Sequence, residues 1–136
     1  WTQQQASFEG EYWQFKEVVT SPKPLRQPHP PIVIGGNRPP ALRRVARLGD
    51  GWHPMGVSPA GVAERLRVIR DEAEKIGRAG ACVLVQVRRD FEGVDTQLIE
   101  QYEEVGVTDL VLSCNTGDVR LISETLTSFS EAHIRP

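Results

Sequence analysis

From Ile32 onward the chain repeats one pattern: a short apolar run, a turn rich in glycine or proline, then apolar residues at helical spacing. Ile32-Val33-Ile34 is apolar at successive positions, which suits a strand covered on both faces. Gly-Gly-Asn-Arg-Pro-Pro follows, and prolines at 39 and 40 suit the first turn of a helix. Leu42, Val45 and Ala46 give that helix an inner face, and Gly49 closes it. The second repeat is a shorter strand in DGWHPMG and a helix opened by Ser58-Pro59. Its stripe is Val62, Leu66, Ile69, Ala73 and Ile76, with Gly77 at the end. The third strand is expected over Cys82–Arg88, before a helix carrying Leu98, Ile99, Tyr102 and Val105 up to Gly106. The fourth is expected over Thr108–Cys114, before a helix marked by Val119, Ile122, Leu126 and Phe129.

Strands joined by crossover helices form a parallel sheet with right-handed connections. Four such units are half of an eight-stranded βα barrel, which typically takes about 250 residues. An open doubly wound sheet is the alternative. Either way an isolated four-unit sheet has two unpaired edges.

Residues 1–31 differ in kind. SFEGEYWQFKEVV alternates loosely around Gly10, as a short irregular hairpin does. Pro22, Pro24, Pro28, Pro30 and Pro31 then impose an extended path poor in donors. The expected organisation is an inserted arm and connector over 1–31 and an α/β unit over 32–136. The chain starts at Trp1, and no core element precedes Ile32, so it reads as a piece of a longer protein.

Bulk properties narrow the function. The 136 residues are 39% hydrophobic and 25% charged, which describes a soluble globular domain. A net charge of -2 gives no electrostatic case for nucleic acid or an anionic membrane. No apolar stretch approaches the roughly 18 residues of a membrane span. Cys82 and Cys114 lack CxxC spacing and read as reduced, mostly buried thiols of a cytoplasmic protein. His29, His53 and His133 have no ligand spacing, so no metal is expected.

The loop Gly35–Pro40 stands at the carboxyl end of a strand, where parallel βα folds bind their ligands. Glycine lets a main chain approach a ligand closely, and a helix N-terminus offers free N–H groups to an anion, above all a phosphate. Arg38 would add a charge-assisted contact. The loop is neither GxGxxG nor a P-loop, so a plain tight turn is the competing reading.

The ordered set FEGEYWQF, SPKPLRQPHPPIVIGG, ALRRVARLGDGW and GVTDLVL closely resembles the C-terminal half of luciferase-like monooxygenases. These are flavin- or deazaflavin-dependent oxidoreductases built on a TIM barrel. The resemblance runs from Phe8 to about Phe129. It implies that four further βα units precede Trp1 in the full-length protein and that this piece alone is inactive. It also implies that the loop after the fifth barrel strand holds the cofactor phosphate through backbone N–H groups, here at Gly35, Gly36, Asn37, Arg38 and Ala41. Some relatives carry Ser or Thr where this chain has Arg38, Pro39 and Ala41, so Arg38 is expected to replace lost hydroxyl contacts. The implied cofactor is FMN or the deazaflavin coenzyme F-420, with the GG-rich version and DGW most like the deazaflavin branch. The implied substrate is a small organic molecule, and a homodimer of the full-length protein is compatible with the resemblance. Catalytic residues are not assignable, because those touching the ring come mainly from the other half of the barrel.

Other residues have both a functional and a bland reading. Asp50-Gly51-Trp52 looks like a site, or is core packing by the ring and turn chemistry by Asp-Gly. His53 is a proton donor at the mouth or a structural residue. Arg88 and Arg89 reach an anionic cofactor tail or form surface ion pairs. Cys114 and Asn115 face the same mouth, but no base lies near Cys114 in sequence. Tyr12, Trp13 and Phe15 stack on a ring or pack the arm, and Arg43, Arg44 and Arg47 form a solvated helix face. Two other classes compete with the oxidoreductase: a non-catalytic phosphate-binding half barrel, and a phosphosugar isomerase or lyase barrel.

Overall fold

The computed structural model describes residues 1–133. They divide into two compact units, Trp1–Pro31 and the described residues from Ile32 onward. In the first, β1 (Ala6–Glu9) and β2 (Gln14–Val18) form an antiparallel pair whose register shifts between Ala6 and Phe8. Phe8 and Phe15 stack at 5.9 Å across it, while Tyr12 and Trp13 near the turn are exposed.

The second unit is a parallel sheet in the order β3-β4-β5-β6, with a helix after every strand. The strands are β3 (Val33–Gly35), β4 (Gly51–His53), β5 (Leu84–Asp90) and β6 (Asp109–Ser113). The helices are α1 (Pro39–Leu48), α2 (Pro59–Lys75), α3 (Thr96–Glu104) and α4 (Val119–His133). Spatial order equals chain order, as in a barrel wall. The α/β architecture of four parallel βα units expected for half a TIM barrel is therefore present.

Local chemistry accounts for the elements. Pro39 and Pro40 occupy the first positions of α1, and Ser58 caps α2 by accepting from the Gly61 N–H at 3.3 Å. Asp95 does the same for α3 through Leu98 N–H at 2.8 Å. At the end of α2 the Gly77 N–H bonds Glu74 O and the Arg78 N–H bonds Ala73 O, the paired closure of a Schellman motif. The same closure ends α3, where Gly106 and Val107 bond Glu103 and Tyr102.

The core lies between the outer helices and the centre of the sheet. Leu42, Val45 and Ala46 from α1 and Val62, Leu66, Ile69 and Ala73 from α2 are buried with Trp52, Val85, Val87 and Tyr102. The α2 stripe thus faces the core from Val62 to Ala73, whereas Ile76, expected to continue it, caps the helix and is exposed. Leu66→Ala in the full-length protein is expected to cost about 2–5 kcal/mol. Urea unfolding checks this, and a loss below about 0.5 kcal/mol, the surface range, would contradict it.

Several expectations need correction. The third strand starts at Leu84 rather than Cys82, because Cys82 has left-handed backbone (φ 67) and cannot extend a ladder. Gly35 belongs to β3, and Ile32 precedes it, so the strand is shifted by one residue. It is also half-buried rather than covered on both faces, being the edge of the sheet. The α4 stripe is not buried: Val119 is 76% and Leu126 52% exposed. Among the described residues β6 is an edge of the sheet, and α4 follows it. Cys82 and Cys114 are free but only half-buried.

Candidate functional site: the loop between β3 and α1

The turn from β3 to α1 takes only a few residues because its glycines divide the work. Gly35 ends β3 in register with His53 of β4. Gly36 then turns the chain at φ 112, a conformation that residues with a side chain rarely adopt. A Cβ at Gly36 would also stand 3.0 Å from the Ala41 methyl. Asn37 and Arg38 follow, and Arg38 is the N-cap of α1 with extended backbone and no side-chain cap.

The donors around this turn are few. Pro39 and Pro40 carry no N–H, and the Ala41 N–H turns back to the Arg38 carbonyl at 2.9 Å. Among the described residues no protein acceptor is found for the N–H groups of Asn37 and Arg38. Those two amides and the positive end of α1 lie together, with the Arg38 side chain exposed beside them. Ala41 enters the site through its methyl, against which Gly36 packs.

Three side chains fix the loop from below. The buried Trp52 indole N–H donates to the Gly36 carbonyl at 2.8 Å. Asn37 Nδ2 donates to Met55 O at 3.0 Å, and Arg65 Nε of α2 donates to Asn37 O at 3.4 Å. The other amide atom, Asn37 Oδ1, is buried without a hydrogen-bond partner.

The Asp50-Gly51-Trp52 triplet explains itself in the same place. Asp50 Oδ2 accepts from the Ile32 N–H at 2.8 Å, and its carbonyl accepts from Val83 and Leu84 N–H, joining the starts of β3, β4 and β5. Arg78 supports the same corner. It lies 3.6 Å from Asp50 and donates to Val45, Ala46 and Gly49 carbonyls at the end of α1. Gly51 faces Val33 on one side and Leu84 on the other, and a Cβ there would stand 2.8 Å from both Leu84 Cβ and Leu84 O.

Further along the carboxyl edge, Met55 bridges to Arg88 of β5, whose Nε donates to Ser113 Oγ of β6 at 2.7 Å. Asn115 Nδ2 donates to Asp90 Oδ1 at 2.9 Å. A cleft of about 480 Å³ opens here, lined by Met55, Gly56, Arg88, Arg89, Asp90 and Glu92. Arg88 thus takes a hydroxyl partner, and Arg89 lies near Tyr102, whose phenol burial pushes up and Arg89 partly offsets. His53 ends β4 half-buried, without a side-chain partner among the described residues to fix its tautomer. Cys114 is half-buried just past β6. Burial pushes the Cys82 thiol up to about 11, so it is not a thiolate at neutral pH. Arg43, Arg44 and Arg47 are exposed on α1. Among the described residues no group of three or more His, Cys, Asp or Glu side chains is placed to hold a metal ion. No described helix is long and apolar enough to cross a membrane.

Sequence reasoning missed Arg65 and Arg78, and it favoured packing over a site role for Trp52 without giving its indole a partner. Arg65 inside α2 looks like part of its solvated face and Arg78 like a polar residue of the turn after it, and only the tertiary arrangement turns them toward backbone carbonyls. The one available signal was the indole itself, since a buried tryptophan N–H needs an acceptor.

Comparison with known proteins agrees with the fold. The sequence profile of luciferase-like monooxygenases matches residues 1–108. An FMNH2-dependent dimethylsulfone monooxygenase of Pseudomonas putida is 35% identical over 79 residues, 58% of this chain and 22% of that protein. An uncharacterised protein of Mycobacterium bovis is 31% identical over 114 residues, 82% of this chain and 38% of its own. Among solved structures, an F420-dependent secondary alcohol dehydrogenase in complex with an F420-acetone adduct superposes with a TM-score of 0.72 at 12% identity. That match covers 98% of this chain and 57% of the other. Monooxygenase RslO1 from Streptomyces bottropensis gives 0.54 at 19% identity, over 97% and 39%. The chain therefore spans 22% to 57% of the length of these relatives. By the profile match over most of its length and the parallel βα units that carry it, the chain belongs to the luciferase-like monooxygenase family.

Proposed function

We propose that this chain is the phosphate-anchoring part of a flavin- or deazaflavin-dependent oxidoreductase, and that Gly35, Gly36, Asn37, Arg38 and Ala41 form the anchor. The observation that carries the reading is a left-handed Gly36 followed by two N–H groups, of Asn37 and Arg38, that have no protein acceptor among the described residues. Backbone donors with no partner at the positive end of a helix suit an anion. The residues fit a phosphate: Gly36 leaves room for close approach, and the exposed Arg38 supplies charge. Asn37 Oδ1 is a buried acceptor that a hydroxyl beside the phosphate would satisfy.

FMN or coenzyme F-420 would supply the hydride or oxygen chemistry, with a small organic molecule as substrate. The work of this chain's residues is to bind the phosphate end, fix its direction and keep water from the loop. The relatives support a cofactor of this kind, since one is FMNH2-dependent and another F420-dependent. A cytoplasmic setting belongs to the same reading and is supported by two free thiols.

Two measurements test this. The absorption spectrum of the reconstituted full-length protein separates flavin from deazaflavin, and neither binding would end the proposal. Arg38→Ala is expected to weaken FMN binding by a few-fold while riboflavin binding stays unchanged. Because the side chain is exposed, that loss should shrink as salt rises. A loss equal for both ligands, or indifferent to salt, would remove Arg38 from the anchor.

A further inference from the structure

The geometry points to Trp52 as the positioning residue that sets which way the Gly36–Asn37 peptide faces, and so whether the loop accepts an anion. This rests on the phosphate-anchor reading above. In a trans peptide the carbonyl of one residue and the N–H of the next point in opposite directions. The Trp52 indole holds the Gly36 carbonyl at 2.8 Å on the core side, so the Asn37 N–H is turned away from the core. Were this peptide to flip, a carbonyl oxygen would face the anion instead of a donor.

Glycine makes such a flip easy, because Gly36 lacks the Cβ that would confine its backbone. The loop therefore needs an external restraint, and Trp52 is built to give one. Its ring is fully buried, and β4 is paired on both sides, with Trp52 opposite Ile34 and Val85. Gly36 itself is exposed, so without the indole its carbonyl would be satisfied by water in either orientation. Of the neighbouring ties, Arg65 Nε to Asn37 O acts on the next peptide and Asn37 Nδ2 to Met55 O holds a side chain, so the carbonyl of this peptide is left to Trp52.

Trp52→Phe keeps an aromatic ring and removes the donor. In the full-length protein it should weaken FMN binding about fivefold, close to 1 kcal/mol, while riboflavin affinity changes less than about twofold. For a deazaflavin enzyme the same ratio is read with F-420 and its phosphate-free core. Loss of both ligands alike, or an unchanged FMN-to-riboflavin ratio, would overturn the inference and leave Trp52 a packing residue. Should Trp52→Phe not fold, the benzothienyl isostere of tryptophan at position 52 keeps the bulk, lacks the N–H and gives the same readings. Gly36→Val, titrated in parallel, separates the two levels. If it is phosphate-selective while the Trp52 variants are not, the anchor stands and this inference fails. If it too is non-selective, both fail.

Discussion

Trp52→Ala is expected to lower the folding stability of the full-length protein by about 3–5 kcal/mol. The side chain is the largest among those fully buried, and it sits in β4, paired with β3 and β5. Its neighbours in the core come from α1, α2 and β5, which the sheet and the βα turns hold in place, so the vacated space closes only in part. Transfer and cavity terms then add rather than cancel. Denaturant midpoints with an unchanged m-value would measure the loss. A cost below about 1 kcal/mol would mean that α1 and α2 do not close over β4 as described. The same residue thus has two separable roles, since Trp52→Phe keeps most of the packing and removes only the hydrogen bond to Gly36.

The fold was legible because two periodicities alternate with clear punctuation. The stripe Val62, Leu66, Ile69 and Ala73 could only be a helix facing a sheet, and Ser58-Pro59 and Gly77 mark its ends. Less was legible where a residue's surroundings decide. Cys82 sits in an apolar run that reads as strand, yet its left-handed backbone delays β5 to Leu84. Val119 and Leu126 have the spacing of a buried face, but α4 follows an edge strand and leaves them exposed.

The loop was legible in place but not in mechanism. Two adjacent glycines look alike in sequence, whereas only Gly36 carries the left-handed turn and Gly35 completes a strand. Ala41 looked like a donor, and its N–H is already used within the first turn of α1. The long-range ties from Trp52, Arg65 and Met55 span 16 to 28 residues, beyond the reach of any local pattern.

Gly36→Val tests the central claim most directly. A branched side chain is strained at φ 112, and its Cβ would stand 3.0 Å from the Ala41 methyl, so the loop must move. The moved loop would no longer present the Asn37 and Arg38 N–H groups together, and a Val side chain would stand where the phosphate approaches. Titrating the full-length protein with FMN and riboflavin, or with F-420 and its phosphate-free core, reads the effect. The phosphorylated ligand is expected to bind at least tenfold more weakly, about 1.4 kcal/mol, with much less change for the phosphate-free one. Equal losses for both would show that the loop only supports the fold, and would contradict the assignment of Gly35–Arg38 as a phosphate anchor.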